Sequence, residues 1–170
     1  MTAEKPQRKL SKSERAAALA IAVRAAAEEQ WPRCPSLRNR CLITSYAFYS
    51  AAKRLKISCD LVGGWYLRNP IVVPNKLIFG CKRMIALKSY SPERVRHSWV
   101  QSGGEILDCT RTQFGEFPKV AILRIPNPHY ICDHIELDES NAWSILADCG
   151  RDGQREAVAI SARALKGFGA

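Results

Sequence analysis

The sequence lacks any long apolar run. Its apolar stretches are broken by Arg, Gly or Pro well before the roughly eighteen residues that a membrane-crossing helix needs, so no membrane span is expected. Met1 leads into a stretch rich in Lys, Arg, Ser and Glu, not an apolar segment, so no secretory signal is expected. The seven cysteines are odd in number and no two form a Cys-x-x-Cys pair. A disulfide scaffold is therefore disfavoured, and a reducing, cytoplasmic setting fits better. The chain also lacks an internal repeat, a low-complexity linker, a helix-turn-helix pattern and an aromatic-rich RNA-binding motif.

What is present suits one globular domain. With 170 residues, 46% of them hydrophobic and 25% charged, the chain can bury a substantial core. Its net charge of +10 is unusual and suits an acidic partner: nucleic acid, an anionic surface or an acidic peptide. The basic residues are scattered, with only a mild cluster in the first fifteen, so nucleic-acid binding is a minor expectation.

Residues 1–10 read as a loose basic tail and 11–170 as a single domain. Ser11 and Glu14 have capping-box spacing ahead of an alanine-rich helix from Lys12 to Gln30, with Leu19, Ile21 and Val23 as buried candidates. Trp31-Pro32 ends that helix. Phe48, Ala51, Ala52 and Leu55 recur at helical spacing within a second helix, Cys41 to Lys56. A β-type run covers Cys59 to Leu67, its Gly63-Gly64 pair suggesting a bulge or a close approach of backbone. Residues 71–87 read as an excursion before a hairpin around His97 and Asp108, and Val120 to Ile125 as a further strand. Two helices follow, one from Asp138-Glu139-Ser140 to about Asp148 and a weaker one from Gln154 to Lys166. This order predicts an α+β fold.

Cys41, His97 and Asp108 carry the chemistry. Cys41 opens a helix, His97 lies in the strand-like Arg96-His97-Ser98-Trp99-Val100, and Asp108 lies in Glu105-Ile106-Leu107-Asp108-Cys109-Thr110. A thiol becomes a good nucleophile when a helix N-terminus and an imidazole lower its pKa, and the imidazole works best when a carboxylate fixes its tautomer. An unpaired carboxylate beside Ile106 and Leu107 would be costly, which argues that Asp108 has a partner such as His97.

Arg40-Cys41, Leu61-Val62-Gly63-Gly64-Trp65, His97-Ser98-Trp99-Val100 and Gly104-Glu105-Ile106-Leu107-Asp108-Cys109-Thr110 together resemble the transglutaminase-like core, over about residues 39 to 115. The resemblance implies a papain/transglutaminase-like α+β core, with the Cys helix packed on an antiparallel sheet bearing His and Asp. It implies Cys41 as nucleophile, His97 as general base and acid, and Asp108 as orienter. It also implies acyl transfer at an amide or ester carbonyl of a peptide or protein, with hydrolysis (peptidase or deamidase) favoured and no cofactor. Leader peptidases of lasso-peptide pathways have similar Cys-helix and His-strand segments. Cys109 stands where the family usually has proline, and Leu42 and Ile43 follow the Cys where a small residue is common.

Each accessory residue has a plainer reading beside the functional one. Asn39 suits an oxyanion donor or an N-cap of the second helix. Trp65 suits an acyl-pocket wall or the core. Gln113 suits a loop-ordering role or a substrate contact. Arg94 and Arg96 flank His97 and suit a carboxylate-bearing substrate or a solvated face. His129, Cys132, Asp133 and His134 are of metal-binding types without the paired spacing of structural zinc sites, so no metal is expected. The remaining cysteines are expected to be structural, with Cys59 and Cys109 in the core. The competing functional class is a non-catalytic basic binding module that retains a vestigial triad.

Overall fold

A computed structural model describes residues 10–68, 94–115, 118–136, 139–148 and 152–168. The expected excursion at 71–87, like Cys81 and Cys149, lies outside the described residues. The first helix, α1 (Lys12–Gln30), starts at the capping box: Ser11 Oγ accepts from the Glu14 N–H at 3.2 Å and Glu14 accepts from the Ser11 N–H at 2.7 Å. Leu19 and Val23, four residues apart, are buried on one face, whereas Ile21 lies opposite them and is 60% exposed, against its expected burial. α2 (Cys41–Arg54) ends two residues earlier than expected, where Lys56 turns to a φ of 55°. Eight of its residues are buried, because it lies between the sheet and other helices.

Five strands form one antiparallel sheet: β1 (Asp60–Leu67), β2 (Arg94–Ser102), β3 (Glu105–Asp108), β4 (Ala121–Arg124) and β5 (Tyr130–Glu136), in the spatial order β4-β3-β2-β1-β5. The β2–β3 hairpin turns on Gly103 and Gly104, both at positive φ (58° and 82°), the backbone that a tight hairpin turn demands. The expected irregularity at the glycine pair is a register shift between β1 and β5 at Val62/Gly64. β5 itself was not anticipated. The carboxy-terminal helices are α3 (Glu139–Asp148) and α4 (Gly153–Gly167), within two residues of their expected bounds.

The pleat sorts side chains onto two faces. Leu61, Val100 and Leu107 join the helices in the main core, whereas Val62, Tyr66, Trp99, Ile106 and Tyr130 form a second, aromatic cluster on the other face. Four α-helices and a five-stranded antiparallel sheet among the described residues make the fold α+β. Among those residues no helix is long and apolar enough to cross a membrane.

Candidate active site

β3 pairs with β2 only from Ser102–Glu105 to Val100–Leu107. Beyond Val100, β2 therefore runs without β3 beside it. There the first residue of α2, Cys41, meets His97. Ser45, one turn into α2, donates its hydroxyl to the Ser98 carbonyl at 2.9 Å and fastens helix to strand. The sheet contributes the imidazole and the helix contributes the thiol.

His97 and Asp108 form a tight buried pair, with His97 Nε2 at 2.7 Å from Asp108 Oδ2 and both side chains fully enclosed. Asp108 is also held by the Tyr130 hydroxyl at 2.7 Å, the Thr110 N–H at 2.8 Å and the Thr110 hydroxyl at 3.0 Å. Burial alone would raise its pKa. The charge and hydrogen bond of His97, with those of Tyr130 and Thr110, outweigh burial and hold the carboxyl below its ordinary range. The Tyr130 hydroxyl, pushed up by burial and by the Asp108 charge, stays a donor.

For His97, burial opposes the charge, yet the Asp108 charge and hydrogen bond, with a further contribution from Cys41, raise its pKa to about 10. Its ring is fixed by Phe114, edge-on at 4.9 Å between centroids, and by Trp99 at 5.9 Å. For Cys41, burial raises the pKa, but its hydrogen bond with His97, the imidazolium charge and a Ser98 backbone hydrogen bond bring it below the ordinary thiol value. Cys59 is pushed the other way by burial, to about 11, and Cys109 higher still for the same reason. Cys109 is buried as expected, and Cys59 is half-buried against the core. Among the described residues neither has an imidazole beside it.

Gln113 reaches the same point. Its Nε2 lies 3.2 Å from His97 Nδ1 and 3.4 Å from Thr110 Oγ1, while its Oε1 accepts from the Asn39 N–H at 3.4 Å. Asn39 is not the N-cap of α2. That position is Arg40, with no side-chain cap, and Asn39 instead adopts a φ of 59°. Its backbone, not its amide side chain, faces Gln113. Trp65 belongs to neither core cluster and does not line the cavity beside Cys41; its ring lies under the Arg94 and Arg96 guanidiniums.

That cavity has a volume of about 390 Å³. Gly63 and Gly64 contribute bare backbone, Leu42 and Ile145 are apolar, and Arg96, His97 and Ser98 come from β2. Leu42, the bulky residue after the cysteine, thus helps to shape the space beside the thiol.

Two residues of this arrangement escaped the sequence. Tyr130 reaches Asp108 from β5, and Arg24 reaches the site from α1. Arg24 is buried; it donates to the carbonyls of Cys109 at 2.8 Å and Pro35 at 2.5 Å, to Thr112 Oγ1 at 2.9 Å and to Glu28 at 3.0 Å. It therefore ties the chain that follows Asp108 to the loop that precedes Cys41. His129 Nδ1 donates to the Leu67 carbonyl at 2.8 Å and Cys132 is exposed. Among the described residues no three His, Cys, Asp or Glu side chains gather as a metal ion would require. Comparison of the chain with protein families, curated proteins and solved structures gives no match.

Proposed function

We propose that the chain is a thiol-dependent acyl-transfer enzyme with a papain/transglutaminase-like core, acting on an amide or ester carbonyl of a peptide or protein. The observation that carries this reading is the series Cys41, His97, Asp108: a thiol below its ordinary pKa, an imidazole raised above its own, and a buried carboxylate with four donors. Asp108 occupies Nε2 of the ring, which leaves Nδ1 for exchange with the sulfur. The Cys41 thiolate attacks the carbonyl carbon and the carbonyl electrons move to oxygen. On collapse, Nδ1 gives its proton to the departing amine or alcohol and a thioester remains. Nδ1 then takes a proton from water, the hydroxide attacks the thioester, and the acid product leaves as the thiolate returns. Gln113 suits the oxyanion: in the thiolate–imidazolium pair Nδ1 already carries its proton and does not accept from the Gln113 amide N–H, which is available to a developing negative oxygen. Water is the simplest acceptor, because transfer to an amine needs a second binding site beside the thioester. A reducing, cytoplasmic setting would keep such a thiol active.

A degenerate peptide pool incubated with the protein in ¹⁸O-water tests the reading by mass spectrometry. Hydrolysis puts one ¹⁸O into a new carboxylate, whether at a new chain terminus or at a deamidated side chain, and Cys41→Ala abolishes it. No labelled product, an unreactive Cys41 and salt-dependent binding to random DNA would instead favour a basic binding module. The net charge of +10 would then be the functional feature.

A further inference from the structure

Resting on the reading of Cys41 as nucleophile, we infer that Glu156, on α4, is a positioning residue for the thiol: with Trp31 and Arg40 it clasps the two ends of the loop that sets the first turn of α2. Ser45 pins α2 to β2 one turn beyond the thiol, at the Ser98 carbonyl. The first turn itself, where Cys41 sits, has no side-chain cap, because its N-cap is Arg40. An uncapped first turn frays readily, and a thiol on it loses its alignment. Alignment matters here, since the sulfur is held below its ordinary pKa by hydrogen bonds with His97 and the Ser98 backbone, both short-range. What holds the turn lies in the chain before it.

Residues 31–40 form hydrogen-bonded turns in series. The N–H of Cys34 donates to the Trp31 carbonyl at 2.9 Å, that of Leu37 to Cys34 at 2.9 Å and that of Arg40 to Leu37 at 3.1 Å. The Arg40 carbonyl then accepts from the Thr44 N–H at 3.0 Å, which opens α2. Leu37 and Asn39 have left-handed backbone, with φ of 52° and 59°. Side chains with a Cβ adopt it reluctantly, so the loop keeps this path only where its surroundings over-determine it. In the middle, Leu37 is fully buried, and Arg24 and Thr112 donate in turn to the Pro35 and Ser36 carbonyls. At the ends the holder is one carboxylate. Glu156 Oε1 accepts from Trp31 Nε1 at 2.9 Å and its Oε2 lies 3.8 Å from Arg40 Nη1. The Arg40 guanidinium carbon lies 4.9 Å from the Trp31 ring centroid and completes the clasp. The Glu156 side chain is 17% exposed and that of Arg40 37%, so the indole arm is the stronger and the ion pair the weaker. Trp31 also closes α1, so the clasp joins the ends of α1, α2 and α4.

The test reads the pH onset of Cys41 alkylation by iodoacetamide in the full chain, with urea unfolding of each variant beside it. Glu156→Ala should raise the onset by about 0.7 pH units, a roughly fivefold fall in the thiolate-to-thiol ratio at fixed pH, the size that losing a typical helix cap carries. Trp31→Phe, which keeps the ring under Arg40 and removes only the indole N–H, should raise it in the same way. Glu156→Gln keeps an acceptor for the indole and should retain most of the low onset. The sign separates positioning from charge. Removing a carboxylate acts by charge alone to lower a thiol pKa, so a lower onset in Glu156→Ala overturns the proposal. An unchanged onset in Glu156→Ala and Trp31→Phe, with only the urea midpoint lowered, makes Glu156 purely structural and overturns it too. Ile160→Val removes one methylene from the buried face of the same helix and should lower the midpoint without moving the onset. An onset raised there as far as in Glu156→Ala would mean general loosening and would also overturn the proposal. A wild-type onset no lower than that of Cys132 would instead overturn the nucleophile reading, and the clasp with it.

Discussion

Tyr130→Phe removes one oxygen and keeps the ring. Tyr130 packs edge-on to Trp99 and Tyr66, at 5.2 and 5.4 Å between centroids, and a phenyl ring preserves both contacts. What is lost is the 2.7 Å hydrogen bond to the buried Asp108 carboxylate. A hydrogen bond to a charged group contributes about 1.5–3 kcal/mol, and no water replaces it cheaply at a fully enclosed carboxylate. Urea unfolding at neutral pH should show a loss of that size. The same substitution made in Asp108→Asn should cost only about 0.5–1.5 kcal/mol, because the bond there joins neutral groups. The pH dependence follows from the direction of the Asp108 shift. Its pKa is lowered by folding, so the stability it contributes is present above the unfolded carboxyl value and is lost as pH falls through the folded one. Tyr130→Phe moves the folded value back toward the unfolded value, so the gap between variant and wild type should narrow, at the acid end of the folded range, to that of a bond between neutral groups. An equal cost in both backgrounds, or no cost, would refute the view that Tyr130 acts through the charge of Asp108.

Turnover should vanish in Cys41→Ala and His97→Ala, whereas Asp108→Asn should lose on the order of a few hundred to ten-thousand-fold with nucleophile and base still in place; initial rates on any peptide from the pool check this. The pH–rate profile of turnover should fall on the alkaline side near pH 10, as His97 gives up the proton needed by the leaving group. Arg24→Met should destabilise by about 2–4 kcal/mol in urea, since it strips the bonds to Cys109, Pro35, Thr112 and Glu28 at once.

The parts of the site that could be read from the sequence are those carried by local pattern. A helix opening at Cys41 and a strand, turn and strand carrying His97 and Asp108 are each contained within a dozen or so neighbouring residues, where periodicity and the Gly103-Gly104 turn speak directly. Tyr130 is twenty-two residues beyond Asp108 and meets it because β5 crosses to pair with β1. Nothing in the sequence around Tyr130 records that crossing, and the stretch reads more readily for its metal-type residues than for a strand. Arg24 hides among alanines as an ordinary polar position of α1, and only the packing of α1 over the loop before Cys41 turns it inward. Asn39 has the residue type of an N-cap, but its positive φ places the cap one residue later, at Arg40. The misplacement of Ile21 is simpler, since it lies two residues from buried Leu19 and Val23 and so on the opposite side of a helix.

The activated thiol is tested most directly by brief, low-dose iodoacetamide at about pH 6, followed by peptide mapping, because only a cysteine with an unusually low pKa is a thiolate there. Cys41 should be alkylated first and almost alone, ahead of the exposed Cys132, and His97→Ala should move the onset of its reaction up toward ordinary thiol pH. Cys41 reacting last, or at the same rate as Cys132, would contradict the account.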